Sequence, residues 1–286
     1  MKSISRHLFA IALYIGVIPF VQAEKVSMTL PSGLVVNAAY TPGDPQKPAL
    51  LVLHGFLQTR EFQATKNIID GLSDMGYEVL GPSLSLGVGN RRKSLSCEAP
   101  HTHTLQGDLE ELDRWVDWLL KKGHHSMLLV GHSWGGQHAL AYAAQYPQRP
   151  IVGVVAVSLV RARQDEATLT AQKKQAQVRL DAGTLALNPY ALNFCKKYVG
   201  IAQSYLSYAA WTDAKVIATV KASPVPVHVI LGSEDRRIDS AWVSALRASG
   251  AEVSTVDGAD HFFSSQYEFD LLDELAESLK TFEHSE

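Results

Sequence analysis

Residues 131–135 read Gly-His-Ser-Trp-Gly, with an apolar run before them and a helix-prone stretch after. A serine hydroxyl is a poor nucleophile by itself. It needs a base to take its proton, a carboxylate to orient that base, and N–H donors for the oxyanion that attack creates. Ser133 stands between glycines where a strand gives way to a helix, the setting of a G-x-S-x-G elbow. Such a corner exposes the hydroxyl, and side chains at the glycine positions would clash with the neighbouring strand and helix. It also aims the next N–H, that of Trp134, at the same spot, beside a helix N-terminus that favours negative charge.

The other parts can be sought downstream and upstream. Of eleven His, His261 in Asp257-Gly258-Ala259-Asp260-His261-Phe262-Phe263 follows the last strand signal and precedes the last helix. That puts it on a loop at a strand's carboxyl end, where α/β sheets place their sites. Asp235 is the candidate orienting acid, three residues past Gly232 at the end of the preceding strand. Its neighbour Glu234 is a rival, and Asp239, Asp257 and Asp260 are weaker options. A second oxyanion donor is sought after the first buried strand, in His54-Gly55-Phe56-Leu57. Gly55 lets that loop approach, Phe56 N–H is the choice and Leu57 N–H the alternative. His54 itself reads as a packed His holding the loop.

The elements that must position these residues alternate from end to end. Lys25–Leu30 and Leu34–Tyr40 form a hairpin by their period-two pattern. Residues 49–53 (Ala-Leu-Leu-Val-Leu) read as a strand buried on both faces. Helical spacing runs from Glu61 to Met75, Leu105 to Lys122, Trp134 to Gln145, Ser240 to Ser249 and Leu271 to Phe282. Further strands are expected at Tyr77–Leu80, Ser126–Val130, Ile151–Val157, Val225–Leu231 and Ala251–Val256. Strands alternating with helices imply an α/β fold, a mostly parallel central sheet with helices on both faces. The rhythm breaks only at 160–222, which is polar, helix-prone and carries aromatics from Tyr190 to Trp211. It reads as an insertion, a short helical cap. Its aromatics either line an apolar acyl pocket or pack the cap on the body.

Composition narrows the rest. The chain has 286 residues, 46% of them hydrophobic and 19% charged, with a net charge of -3, and one domain accounts for that length. The one basic knot, 89–93, reads as a solvated loop, so no nucleic-acid partner is expected. Residues 1–23 show the three parts of a secretory signal peptide: a positive start, thirteen apolar residues and small residues at Val21 and Ala23. The apolar run is too short to span a bilayer comfortably, so no stable membrane anchor is expected. Cleavage after Ala23 leaves domain 24–286, periplasmic or secreted. In an oxidising compartment Cys97 and Cys195 are expected to pair, closing a loop of about 98 residues. His101 and His103 alternate like a two-ligand metal pair, but no further ligand follows at useful spacing; a loop and helix N-cap at Thr102 or Thr104 is expected instead. His124-His125 reads as charge at a helix C-terminus.

Ser133, Asp235 and His261 in that chain order, with His54-Gly55 upstream, resemble the α/β-hydrolase superfamily. The resemblance extends from about Lys25 to Phe282 and is greatest to single-domain serine hydrolases with a short helical cap between the sixth and seventh strands. It implies Ser133 as nucleophile, His261 as base, Asp235 as acid, and Phe56 and Trp134 as oxyanion donors. Asp260 departs from the Gly often found before the family's catalytic His. A serine nucleophile sets the chain apart from the Asp-nucleophile dehalogenases and epoxide hydrolases. The implied activity is hydrolysis of a carboxylic ester, thioester or lactone through an acyl-enzyme, by a monomer acting on a small-molecule acyl substrate with no metal or organic cofactor. An amidase, peptidase or acyltransferase on the same triad is the alternative within enzymes, and a non-catalytic envelope binding protein the alternative outside them.

Overall fold

The computed structural model describes residues 23–161 and 165–283; all of the expected signal peptide but Ala23 lies outside them. Eight strands form one sheet: β1 (Glu24–Thr29), β2 (Val35–Thr41), β3 (Ala49–Leu53), β4 (Val79–Ser83), β5 (Met127–His132), β6 (Ile151–Val157), β9 (Val227–Gly232) and β10 (Glu252–Val256). Their spatial order is β1-β2-β4-β3-β5-β6-β9-β10. β2 runs antiparallel to both its neighbours, β1 and β4, and all the other pairings are parallel.

The all-apolar sequence of β3 explains its central place. Successive side chains point to opposite faces, so Leu51 and Leu53 enter one core while Leu50 and Val52 enter the other. The first core is closed by α2 (Leu105–Lys121) and α3 (Trp134–Gln145), the second by α1 (Gln63–Asp74) and α8 (Tyr267–Glu283). α7 (Ser240–Ala248) adds Trp242 and Leu246 to the first. Thr104 caps α2 by accepting from Gly107 N–H at 3.1 Å, and Asp239 caps α7 in the same way.

Two local departures from the expected pattern have simple causes. β4 begins later than expected and continues through Gly81-Pro82, a pair that reads as a turn. It persists because its second half pairs with β2, Ala38 opposite Pro82, while only Val79 and Leu80 pair with β3. The second lies in the insertion between β6 and β9. Besides α4 (Glu166–Asp181), α5 (Ala202–Ala209) and α6 (Asp213–Lys221) it holds an antiparallel hairpin, β7 (Asn188–Leu192) and β8 (Cys195–Gly200). A purely helical insertion is therefore corrected to a mixed one.

Cys97 and Cys195 form a disulfide, their Cα atoms 5.5 Å apart. It ties the long loop after β4 to the start of β8. The same loop pairs with β8 through Val199 N–H to Cys97 O and His101 N–H to Val199 O, both 2.9 Å. Inserted segment and body are thus held together covalently and by backbone hydrogen bonds.

Candidate active site

Ser133 follows β5 at its carboxyl end and caps α3 with φ 57° and ψ -120°. A non-glycine residue in that region is strained, and the flanking glycines show why it is held there. A Cβ on Gly131 would lie 2.2 Å from the Gly135 carbonyl carbon, and one on Gly135 2.3 Å from Leu53 O. Both contacts are impossible, so only glycine lets strand, turn and helix close this tightly. Ser133 N–H donates to Val157 O at 2.7 Å, fixing the corner against β6.

The corner presents Ser133 Oγ to His261 Nε2 at 3.0 Å, and His261 Nδ1 lies 2.6 Å from Asp235 Oδ2. All three residues are buried. Asp235 Oδ1 accepts from the Arg237 N–H at 2.9 Å, which orients the carboxylate. The rival acids are engaged elsewhere. Glu234 is exposed, Asp239 caps α7, Asp257 accepts from Ser233, and Asp260 accepts from the Phe262 and Ser264 N–H groups. Asp260 thus braces the His261 loop in place of the usual glycine.

Burial pushes the His261 imidazole below its ordinary pKa, and this outweighs the pull of Asp235 in the other direction. Burial alone would raise Asp235, but the hydrogen bonds from His261 and the Arg237 amide win and hold it below the usual carboxylate range. The pair at neutral pH is therefore a neutral imidazole beside a carboxylate, an imidazole able to accept a proton at Nε2.

The loop after β3 reaches the same point. A Cβ on Gly55 would sit 3.5 Å from the Ser133 Cβ, so the segment that carries the Phe56 N–H passes close to the serine. His54 holds this segment as expected of a packed His. Its Nδ1 donates to Gly55 O at 2.9 Å, and its Nε2 accepts from the Leu84 N–H and from Arg91, both at 3.1 Å. Burial, then the nearby Arg91 charge, drive its pKa well down and keep it neutral.

Two supporting residues escape a reading of the sequence. His132 Nε2 donates to His261 O at 3.0 Å and Ser158 Oγ donates to the same oxygen at 2.9 Å. His132 is fully buried and pushed down to about 3, chiefly by burial and then by the neighbouring His261, so it too is neutral. The ends of β5 and β6 thus clamp the backbone of His261. Position next to Ser133 is the only sequence signal for His132; Ser158 carries none.

The aromatics of the insertion meet the site. Phe56 packs edge-on against Trp134 at 5.5 Å, Phe194 at 5.7 Å and Tyr208 at 5.8 Å between ring centroids. A narrow crevice beside the elbow is lined by Trp134, Leu169, Leu192, Tyr208 and Trp211. A larger cavity of about 370 Å³, lined by Pro31, Thr102, His103, Glu111 and Arg114 among others, contains neither Ser133 nor His261.

His101 and His103 are drawn into packing. His101 stacks on Tyr198 and bonds Ser96 O, while His103 meets Tyr208 and Asp108. Among the described residues no group of three or more His, Cys, Asp or Glu is arranged to hold a metal ion. His124 pairs with Glu78, close to the C-terminal end of α2.

A sequence model described as the alpha/beta hydrolase fold matches residues 48–194. No curated protein sequence matches significantly. Among solved structures the chain is similar to the alpha/beta hydrolase GrgF from Penicillium sp. sh18, with TM-score 0.71 and 16% identity over 92% of this chain and 99% of that one. It is also similar to Est1E from Butyrivibrio proteoclasticus (TM-score 0.63, 18% identity, 90% and 99% covered). A thermophilic esterase from Thermogutta terrifontis gives TM-score 0.63 at 17% identity over 92% and 99%. At such identities the likeness shows the fold alone.

Proposed function

This chain belongs to the α/β-hydrolase fold family, and on that premise we propose that it is a serine hydrolase cleaving a carboxylic ester, thioester or lactone. The observation that carries this is the buried, continuous hydrogen-bond chain Ser133 Oγ–His261 Nε2, His261 Nδ1–Asp235 Oδ2. In this reading His261 takes the Ser133 proton as Oγ attacks the carbonyl carbon. The Phe56 and Trp134 N–H groups hold the oxyanion, and collapse expels the alcohol or thiol with the proton returned by His261. Water, activated by the same imidazole, then releases the acid. Asp235 keeps the imidazole in the tautomer with Nε2 free to accept.

In the same reading residues 1–23 are a cleaved export signal, the mature domain is 24–286, and the protein works in the periplasm or outside the cell. The Cys97–Cys195 disulfide supports an oxidising compartment. Segment 160–222 serves as the cap, bringing aromatic side chains to the acyl crevice.

Turnover of a panel of p-nitrophenyl esters, thioesters and anilides tests the reading. Ester or thioester turnover that disappears in Ser133→Ala supports it. No turnover of any member by the folded wild type would favour a binding protein, and turnover of anilides alone an amidase.

A further inference from the structure

The inserted segment differs from the body in two surface properties at once. Residues 160–222 carry nine Lys and Arg against four Asp and Glu, while the rest of the chain from Glu24 onward carries fifteen against twenty-five. The protein is therefore polarised, with a basic insertion on an acidic body. Five large apolar side chains left exposed lie in the same segment: Val178 (63%), Leu180 (40%), Leu185 (75%), Leu187 (43%) and Phe194 (47%). Elsewhere among the described residues only Val35, Val88 and Phe269 are comparable.

Four of the five lie close together in the chain. Val178 and Leu180 are in the last turns of α4 and Leu185 and Leu187 in the connection to β7. Exposed Lys174 precedes Val178 by four residues and so shares its helix face. Lys196 and Lys197 are exposed on β8, beside Phe194 at the hairpin tip. Among the described residues no carboxylate pairs with any of these three lysines. Single exposed leucines need no explanation, but five exposed apolar side chains in one basic segment that also carries unpaired lysines do.

We propose that the outer surface of this segment docks on an anionic lipid surface. Apolar side chains that enter the headgroup boundary, flanked by lysines that meet anionic lipid, are the chemistry of interfacial binding. The acidic body orients the molecule, since it is repelled by the surface that attracts the insertion. A second copy is the other complementary partner, but basic insertion on acidic body is a head-to-tail contact that leaves its ends unsatisfied and propagates. Docking does not depend on the hydrolase reading and holds or fails separately from it.

Co-sedimentation of the purified protein with phosphatidylcholine vesicles, with and without phosphatidylglycerol, tests the proposal. Binding is expected only with phosphatidylglycerol and weakens with salt. Reversing Lys174, Lys196 and Lys197 to Glu is expected to weaken it by at least about a hundredfold, each lysine near an anionic surface contributing about fivefold. Changing Val178, Leu185 and Leu187 to Ser removes tight binding while leaving the melting temperature near that of the wild type, because these side chains are already exposed. Absence of binding to anionic vesicles overturns the proposal, as does binding that both triple variants retain. Concentration-dependent oligomers that both variants abolish, with no vesicle binding, assign the surface to a second copy instead.

Discussion

Two buried imidazole–carboxylate pairs in this molecule use the same side-chain types at nearly the same separation. His261 Nδ1 lies 2.6 Å from Asp235 and His138 Nε2 lies 2.9 Å from Asp108. They differ in what else they touch. The far nitrogen of His261 meets Ser133 Oγ at 3.0 Å, whereas the far nitrogen of His138 has no partner among the described residues. Asp108 also accepts from Tyr208, whose hydroxyl accepts from His103 at 2.6 Å. Burial alone would raise the Asp108 pKa, but His103 and His138 together hold it well below the usual range. Asp108 joins α2, α3 and α5 and thereby rivets the insertion to the body, while Asp235 serves one imidazole. A carboxylate beside a histidine thus occurs here in two settings, and the third group is what distinguishes them.

Ser133→Ala should separate the two most sharply. Ester turnover is expected to fall at least ~10⁴-fold, with unfolding free energy changed by less than about 1 kcal/mol. Asp235→Asn should lower kcat by about 10³- to 10⁴-fold through the wrong imidazole tautomer. Asp108→Asn should act oppositely, keeping kcat per folded molecule within about threefold while costing roughly 3–5 kcal/mol of stability, because buried donors lose their charge partner. Equal loss of kcat in both Asn variants, with unchanged melting, would erase the distinction.

The clamp on the base should give a smaller effect. His132→Phe is expected to reduce kcat about tenfold by loosening the position of His261, with KM little changed, and Ser158→Ala less than that. His132→Asn, which restores a donor, should recover part of the loss. A purely structural role would lower the melting temperature without this recovery in kcat.

Acidity sharpens the comparison least but reaches both regions. kcat/KM should rise with pH along a limb whose midpoint lies below about 6.5, the ordinary histidine value, because burial depresses His261. Stability carries a related sign. His101 is lowered to about 4 and His132 to about 3, each chiefly by burial, and His54 lies well below its ordinary value for the same reason. Below about pH 6.5 the unfolded chain takes up protons that the folded chain refuses, so these groups lose stability as pH falls from there toward the folded values. Glu111, raised to about 7 mainly by burial, has the opposite sign; its contribution is full in acid and is lost as pH rises through about 7. Three imidazoles outweigh one carboxyl, so the melting temperature should drop between pH 7 and pH 5.

Much of this was legible in the sequence, for identifiable reasons. β3, β5 and β6 announce themselves as short apolar runs because both faces of the sheet are covered. The elbow is legible because its glycines answer to contacts of 2.2 and 2.3 Å that no other residue tolerates. The β7–β8 hairpin was hidden: Asn-Pro-Tyr-Ala-Leu shows little strand pattern, and its pairing is supported by the disulfide and by the loop 97–101. The sequence puts Asp235 ahead of Glu234 but does not show which points inward, since adjacent loop residues differ only in direction. The Asp108 rivet joins side chains 30 positions apart and the His132–Ser158 clamp reaches a backbone carbonyl 103 or more positions away, and no local pattern encodes such contacts.

The most direct test of the account is covalent trapping by a fluorophosphonate, followed by intact mass and peptide mapping of the wild type and Ser133→Ala. One adduct per molecule, located on Ser133, formed more slowly as pH falls below the His261 midpoint and absent from the variant, is the result the account predicts. A folded wild type that takes no label, or an adduct that persists in Ser133→Ala, would contradict it.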